Sequence, residues 1–173
     1  MKGTILCCLR ELAVEKFGRD VWENVLEKAG MDRESIMLAM ADMPDEKAMA
    51  VLANLCGETG MTLEQVADAF GEYWAVSYAP RIYKSFYIGL RNSKDMLMKA
   101  DVIHDVATKM MRNAAPPRFI YVEKDKKTLL MTYNSSRNMM PFFLGLIKGV
   151  GKYFNEDLTL NVISSNQVEI TFP

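Results

Sequence analysis

The sequence predicts an α+β domain in which a helical N-terminal part precedes a four-stranded antiparallel sheet with one helix inserted between its strands. In the first two thirds of the chain, apolar residues recur at spacings of three and four, which is typical of amphipathic helices. After Pro116 and Pro117, β-rich segments occur in two pairs, each joined by a polar turn, which is typical of hairpins. Consecutive prolines cannot continue a helix, so they mark the change between the two parts.

Composition indicates a globular chain that forms one domain over residues 1–173. Half of the residues are hydrophobic and a quarter are charged, which excludes a disordered chain. The net charge of −1 shows no basic excess of the kind that binds nucleic acid or an anionic membrane. There is no apolar run long enough to span a bilayer and no secretory signal, so we expect a cytoplasmic protein. Cys7, Cys8 and Cys56 form no CxxC pair, so we expect reduced thiols.

The helices predicted before the prolines each combine an apolar stripe with a start or stop signal. Thr62 and Gln65 are spaced as a capping box at the start of one helix, and Pro80 interrupts that helix or begins a new segment. Ser93 is expected to cap the helix that follows. The predicted helices cover Met1–Lys16, Asp20–Ala29, a segment from Pro44 that Gly57 and Gly60 break, Thr62–Ala79, Ile82–Leu90 and Met96–Arg112, and Arg33–Met40 permits a further short helix.

The second part of the chain reads as hairpin, helix, hairpin. The helix over Asn138–Phe154 is apolar on most sides, so it should be buried, and Pro141 fits its first turn. Gly145 and Gly149 lower the stability of this helix but permit close approach by a neighbouring backbone or ligand. The strands are predicted over Arg118–Glu123, Thr128–Tyr133, Leu158–Ile163 and Gln167–Phe172, with turns at 124–127 and 164–166.

His104 is the only histidine of the chain, and it lies within the predicted helix Met96–Arg112. Helical spacing puts it on one face with apolar residues, and both of its neighbours one turn away, Ala100 and Ala107, are small. Small neighbours leave open space around the imidazole. A histidine that ligates a bulky apolar group needs such space. A lone histidine on an apolar face is more often a core histidine, so this feature alone leaves both interpretations open.

Tyr133, Ser135 and Arg137 alternate along the chain. If the strand continues to Arg137, all three point from one face, in steps of roughly 7 Å. Each is a hydrogen-bond donor, and the arginine fork fits a carboxylate. Three such donors suit a ligand with two carboxylates, although an exposed strand end with polar residues is an equally good interpretation of the motif by itself.

Taken together, these features resemble the H-NOX family, the haem nitric oxide/oxygen binding domains related to the haem domain of soluble guanylate cyclase. The resemblance rests on a lone helical histidine, a Pro-Pro turn after it, and then Tyr-x-Ser-x-Arg leading into an apolar helix. It covers nearly the whole chain and includes Met1–Ile5, Phe70–Trp74 and Phe143–Leu146.

The resemblance implies a haem b cofactor (protoporphyrin IX iron) buried between the helical part and the sheet. His104 would be the proximal axial ligand of the iron, and imidazole is a good iron ligand. The resemblance further implies a helical subdomain over about 1–60 and a haem-clasping subdomain with the sheet over about 61–173. Tyr133, Ser135 and Arg137 would hold the haem propionates, Pro117 would distort the haem from planarity, and Ile5 and Leu146 would contact the macrocycle.

On the distal side, the sequence departs from the oxygen-binding members of the family. These carry a distal tyrosine that donates to bound O2, and the matching position here is Phe142, which has no donor. Trp74 occupies the other position where a polar partner can sit. Bound O2 needs a donor more than NO does, so we expect a sensor that binds NO and CO and excludes O2. Tyr78, one turn after Trp74, is the residue whose hydroxyl would overturn this expectation if it reached the iron.

The family mechanism implies that NO binding breaks the bond between iron and His104, which frees the histidine helix. Output would then pass to a partner, either a histidine kinase or a cyclic-di-GMP enzyme, or to a fused chemotaxis-type receptor if the chain is an excised domain. Two alternatives stay open: an O2 sensor on the same scaffold, and a haem-free module that binds a hydrophobic ligand or a partner protein. An enzyme is not expected, because the chain has no second histidine for acid–base chemistry.

Overall fold

A computed structural model describes residues 1–33, 35 and 38–173 and confirms the predicted α+β fold. The helical part comes first and the antiparallel sheet follows, with one helix between its two hairpins. The elements are α1 (Gly3–Phe17), α2 (Arg19–Lys28), α3 (Asp45–Thr59), α4 (Leu63–Tyr73), a π-turn (Trp74–Tyr78), α5 (Ala79–Ile82), α6 (Lys84–Tyr87), α7 (Ser93–Thr108), β1 (Arg118–Glu123), β2 (Thr128–Asn134), α8 (Met140–Phe154), β3 (Thr159–Ser164) and β4 (Gln167–Thr171).

The four strands pair in the order β1-β2-β4-β3, and every pairing is antiparallel. Alternate side chains of β2 and β4 are buried because successive residues of a strand point to opposite faces. These inward-facing residues meet α8, which lies across one face of the sheet. They are Leu129, Met131, Val168 and Ile170, each fully buried.

Two hydrophobic clusters form the core, and α8 contributes to both. The helical cluster comprises apolar side chains of α1 to α4 together with Tyr78 and Phe142. The sheet cluster comprises the inner face of the strands together with Phe143, Ile147 and Val150. Neighbouring residues Phe142 and Phe143 therefore point into different clusters, so α8 forms the wall between the two parts of the molecule.

Glycines allow α4 and α8 to pack at backbone distance. A Cβ added at Gly145 would lie 2.2 Å from the carbonyl oxygen of Ala67, and one at Gly149 would lie 2.1 Å from that of Gly71. Real Cβ atoms do not tolerate such contacts, so these positions require glycine. The sequence-based expectation that Gly145 and Gly149 permit close approach is confirmed.

Several predicted helix boundaries were wrong for identifiable reasons. Gly57 does not break α3, which continues to Thr59 and ends at Gly60, whose left-handed φ of 68° glycine adopts without strain. Asn92, rather than Ser93, caps α7, because its side chain accepts from the Asp95 N–H at 2.8 Å.

Other predictions concern shorter segments. The capping box of Thr62 and Gln65 is confirmed in both directions. Of the predicted apolar helix Ile82–Leu90, only Lys84–Tyr87 forms a separate helix. The short helix suggested for Arg33–Met40 falls partly on Glu34, Ile36 and Met37, which lie outside the described residues. Among the residues that are described, no helix is both long and apolar enough to cross a membrane.

Candidate functional site

His104 lies on α7, on the side that faces β1, and its side chain is partly buried. The Nδ1 atom is 2.8 Å from the carbonyl oxygen of Ala100, one turn earlier, so Nδ1 carries the proton and donates it. Burial lowers the pKa of His104, which favours the neutral imidazole. Nε2 then keeps its lone pair, with no hydrogen-bond partner among the described residues. A neutral imidazole whose second nitrogen is anchored in this way is the form that ligates metals.

Phe119 packs against the imidazole on the sheet side and belongs to a stack of three aromatic rings. The Phe119 ring is 5.4 Å from that of His104 and 5.5 Å from that of Phe143, with which it stacks. Tyr133 stacks on Phe143 at 4.8 Å, with the ring planes 11° apart. Phe119 was not among the residues predicted from the sequence; in the structure it pairs with Tyr133 across the β1–β2 hairpin.

Asp101, one turn before His104, fastens α7 to β1. Its carboxylate accepts two hydrogen bonds from Arg118, at 2.9 and 2.6 Å, and one from the backbone N–H of Phe119 at 2.9 Å. The Arg118 guanidinium holds the pKa of Asp101 below its usual value. The helix that carries His104 is therefore docked to the sheet by charged hydrogen bonds, and Asp101 was not among the residues predicted from the sequence.

The strand does not continue to Arg137, so the three donors of the Tyr-x-Ser-x-Arg motif do not share a strand face. β2 ends at Asn134, so Tyr133 points inward from the strand whereas Ser135 and Arg137 lie in the turn that follows. The Ser135 Oγ accepts from the Arg137 N–H at 3.2 Å, which stabilises the turn instead of prolonging the strand.

Donors of this motif are nevertheless available to a ligand. The Arg137 Nε donates to Asp45 at 2.8 Å and its Nη1 to the carbonyl oxygen of Ala115 at 2.9 Å. Its Nη2, and the hydroxyl of Tyr133, have no hydrogen-bond partner among the described residues. Such donors fit carboxylates at the edge of an apolar ligand.

A row of aromatic rings lies on the opposite side of α8, in the helical cluster. The Phe142 ring meets Phe70 edge-on at 5.4 Å, Phe70 stacks on Trp74 at 5.7 Å, and Trp74 lies 5.3 Å from Tyr78. The half-buried side chains of Ile5 and Leu146 pack against the same cluster. The structure thus brings Ile5 and Leu146, predicted to contact the macrocycle, into one cluster with the predicted distal residues Phe142, Trp74 and Tyr78.

The hydroxyl of Tyr78 is engaged by a residue that the sequence analysis missed. The Thr4 Oγ1 lies 3.2 Å from the Tyr78 hydroxyl and 3.3 Å from that of Tyr83. Thr4 and Tyr78 are 7% and 3% exposed, so the hydrogen bond is shielded from water. Nothing local in the sequence signals this contact, because 74 residues separate the two side chains.

The side chains available as ligands indicate whether the protein could hold a bare metal ion or an iron that a porphyrin already holds. Among the described residues, no three His, Cys, Asp or Glu side chains are placed to hold an ion by themselves. A single imidazole instead fits an iron that a porphyrin already holds by four nitrogens. Pro117, half-buried directly before β1, follows the Ala115 carbonyl that Arg137 contacts. The residues present therefore fit a haem.

Comparisons with known proteins agree with this assignment. The family model described as Haem-NO-binding matches residues 2–162. An oxygen-binding H-NOX domain related to soluble guanylate cyclases, solved as its oxygen complex, superimposes with a TM-score of 0.87 at 27% identity, covering 99% of this chain and 95% of that one. A structure from work on haem distortion in the H-NOX family gives a TM-score of 0.88 at 27% identity, with 99% and 95% coverage. A variant of the T. tengcongensis H-NOX gives 0.85 at 27% identity, with 99% and 97% coverage. No curated protein sequence matches.

This fold, with a single ligand-type histidine, defines a haem-binding gas-sensor domain. The chain belongs to the haem-NO-binding, or H-NOX, family.

Proposed function

We propose that the protein senses NO, also binds CO, and excludes O2. The observation that carries this proposal is the absence of a free hydroxyl on the distal side among the described residues. Phe142 has no donor, and the Tyr78 hydroxyl is bonded to Thr4 at 3.2 Å. Bound O2 carries partial negative charge and depends on a donor, whereas NO depends on one far less.

Haem b, when bound, supplies a ferrous iron that accepts a diatomic gas as a ligand. His104 holds that iron through Nε2, because its Nδ1 is committed to Ala100. Tyr133, Ser135 and Arg137 donate to the propionate carboxylates, and Arg137 does so with the nitrogen that Asp45 and Ala115 leave free. The apolar residues Ile5, Leu146 and Pro117 contact the macrocycle and exclude water from it.

In this proposal, His104 transmits the signal by leaving its ligand position. Its release removes one constraint on α7, which Asp101 otherwise keeps docked to β1. The helical part over about 1–60 then shifts relative to the part over about 61–173. Because this is a change between two arrangements, the gas acts by favouring one of them.

The output is binding to or release of a partner protein, not catalysis. We infer the kind of partner from the family: a histidine kinase, a cyclic-di-GMP enzyme or a chemotaxis-type receptor.

An O2 sensor is the second candidate, and one observation favours it. The indole N–H of Trp74 has no hydrogen-bond partner among the described residues, and its ring packs between those of Phe70 and Tyr78, on the side that we propose to be distal. If that N–H reaches the gas, it supplies the donor that Phe142 lacks. The similar domain solved as an oxygen complex shows that the scaffold accommodates this ligand in a relative.

The deciding experiment is an anaerobic absorption spectrum of the reduced protein, recorded before NO, after NO and, on a separate sample, in air. We expect a five-coordinate ferrous spectrum, then a five-coordinate nitrosyl spectrum, and no oxy complex in air. A stable oxy spectrum that Trp74→Phe abolishes would establish the O2 sensor instead. Failure to bind added haem would contradict both candidates. His104→Gly serves as the control: it should lose the axial ligand and regain it when free imidazole is supplied.

A further inference from the structure

A π-turn interrupts the long helical segment from Leu63 to Ile82, and Pro80 explains its position. In an α-helix, residue 80 would donate its N–H to the carbonyl of Val76. Proline lacks that N–H, and its ring clashes with the carbonyl four residues earlier. The Ala79 N–H instead donates to the carbonyl of Trp74, five residues back, which widens the helix just before the proline.

This register leaves the carbonyl oxygen of Ala75 without a backbone donor. Its α-helical donor, the Ala79 N–H, is bonded to Trp74. Its donor in the π-register would be residue 80, which has no N–H. Ala75 is 1% exposed, so bulk water does not reach this carbonyl. A buried carbonyl in this situation requires a donor from elsewhere in the chain.

Tyr87, on α6, supplies that donor. Its hydroxyl lies 3.4 Å from the Ala75 carbonyl oxygen. The Tyr87 ring packs edge-on against Tyr153 of α8 at 5.0 Å, which directs the hydroxyl toward the π-turn. Burial raises the pKa of Tyr87, so the hydroxyl stays protonated and remains a donor.

We propose that Tyr87 is a positioning residue that stabilises the π-turn by donating to the Ala75 carbonyl and thereby holds Trp74 in place. Trp74 is the first residue of the turn, and its ring contacts Phe70 and Tyr78. Only the statement that Trp74 faces the gas rests on the proposed function. The link from Tyr87 through Ala75 to Trp74 stands on the fold alone.

A double-mutant cycle on the whole chain tests the hydrogen bond. Tyr87→Phe should lower the melting temperature by roughly 2–4 °C, the shift expected in a chain of this size for one buried hydrogen bond. Pro80→Ala gives residue 80 an N–H that can reach the Ala75 carbonyl or restore the α-helix. In that background, Tyr87→Phe should shift the melting temperature by less than about 1 °C. Equal shifts in both backgrounds would overturn the proposal.

Tyr153→Phe is the matched control, because it removes a hydroxyl from the same aromatic pair. The Tyr153 hydroxyl has no hydrogen-bond partner among the described residues, and the residue is 37% exposed. This variant should have the same melting temperature as the wild type. If it melts as low as Tyr87→Phe, packing of the pair, and not the bond to Ala75, is the source of the effect.

Fluorine NMR with 5-fluorotryptophan tests the positioning directly and needs no haem. The chain has two tryptophans, so two resonances are expected, and Trp74→Phe assigns them. Tyr87→Phe should move the Trp74 resonance and leave that of Trp22 unchanged, whereas Tyr153→Phe should move neither. An unmoved Trp74 resonance would refute the positioning role even if stability falls.

Ligand kinetics separate this inference from the proposed function. If Trp74 faces the gas, Tyr87→Phe should change the CO dissociation rate several-fold in the ferrous protein, and it should change nothing in the Trp74→Phe background. A shifted fluorine resonance with an unchanged CO rate would retain the role of Tyr87 and contradict the distal placement of Trp74.

Discussion

The Arg137 Nε donates to the carboxylate of Asp45 at 2.8 Å, which connects the turn after β2 to the first turn of α3. The same carboxylate accepts from the N-terminal amine at 2.5 Å. Through Arg137 the carboxylate also reaches the segment that precedes β1, since Nη1 donates to Ala115. One acidic residue therefore joins the chain terminus, the helical part and the arginine that we propose to bind a propionate.

We predict that this network makes stability depend on pH in the acid range. The N-terminal amine, followed by Arg137, holds the pKa of Asp45 below its usual value. Its stabilisation is therefore complete above the unfolded pKa of about 3.9 and is lost as the pH falls through the lower folded pKa. Melting curves of wild type and Asp45→Asn should differ between about pH 5 and 7, and the difference should shrink as the pH falls below the unfolded pKa of about 3.9. A difference that persists unchanged in acid would mean that the carboxylate charge is not responsible.

Asp101→Asn should loosen the docking of α7 on β1. The substitution removes the carboxylate charge that holds Arg118 by two hydrogen bonds. We expect the free energy of unfolding to fall by about 1 kcal/mol. Asp105→Asn is the matched control, because Asp105 meets the same arginine through one contact at 3.3 Å and is 64% exposed. In that variant the free energy of unfolding should fall by less than about 0.5 kcal/mol. Urea unfolding measures both, and equal losses would remove the special role of Asp101.

Gly145→Ala should be strongly destabilising, by about 3 kcal/mol or more, because its Cβ would lie 2.2 Å from a backbone carbonyl of α4 that cannot move aside. Gly57→Ala provides the opposite case. Gly57 lies inside α3 with nothing within 4 Å of its added Cβ, so alanine should stabilise the protein by roughly 0.4–1 kcal/mol. Thermal unfolding of the two variants should therefore shift in opposite directions. A tolerated Gly145→Ala would show that α4 and α8 can separate.

Thr4→Val should weaken the exclusion of O2. The variant keeps the shape of the side chain but removes the oxygen that engages the Tyr78 hydroxyl, which then becomes available as a donor. In air, the ferrous variant should form an oxy complex that the wild type does not form, and Tyr78→Phe should abolish it in the double variant. Thr4→Ser keeps the hydroxyl and should behave as the wild type. If Thr4→Val still excludes O2, the hydrogen bond to Thr4 does not control selectivity.

Local patterns in the sequence were sufficient to predict most of the fold. The capping box at Thr62 and both hairpins depend on residues close together in the chain. Backbone geometry and side-chain periodicity therefore specify them directly. His104 could be selected for the same reason, since it is the only histidine and lies on a helical face between two alanines. The condition for Tyr133, Ser135 and Arg137 to share a strand face is not met, because β2 ends at Asn134 and the Ser135 side chain bonds locally to the Arg137 N–H.

By itself, the sequence determined the α+β class, the order of the elements, the family and the residue types suited to a haem. Those features follow from periodicities and motifs that act over a few residues. Only the tertiary structure decided that Thr4 engages Tyr78, that Asp45 pairs with Arg137, and that Tyr87 reaches the carbonyl of Ala75. Thr4 and Asp45 lie 74 and 92 residues from their partners, and Tyr87 depends on a helix register that Pro80 displaces. Contacts of this kind arise from how whole helices pack against one another, which no short stretch of sequence specifies.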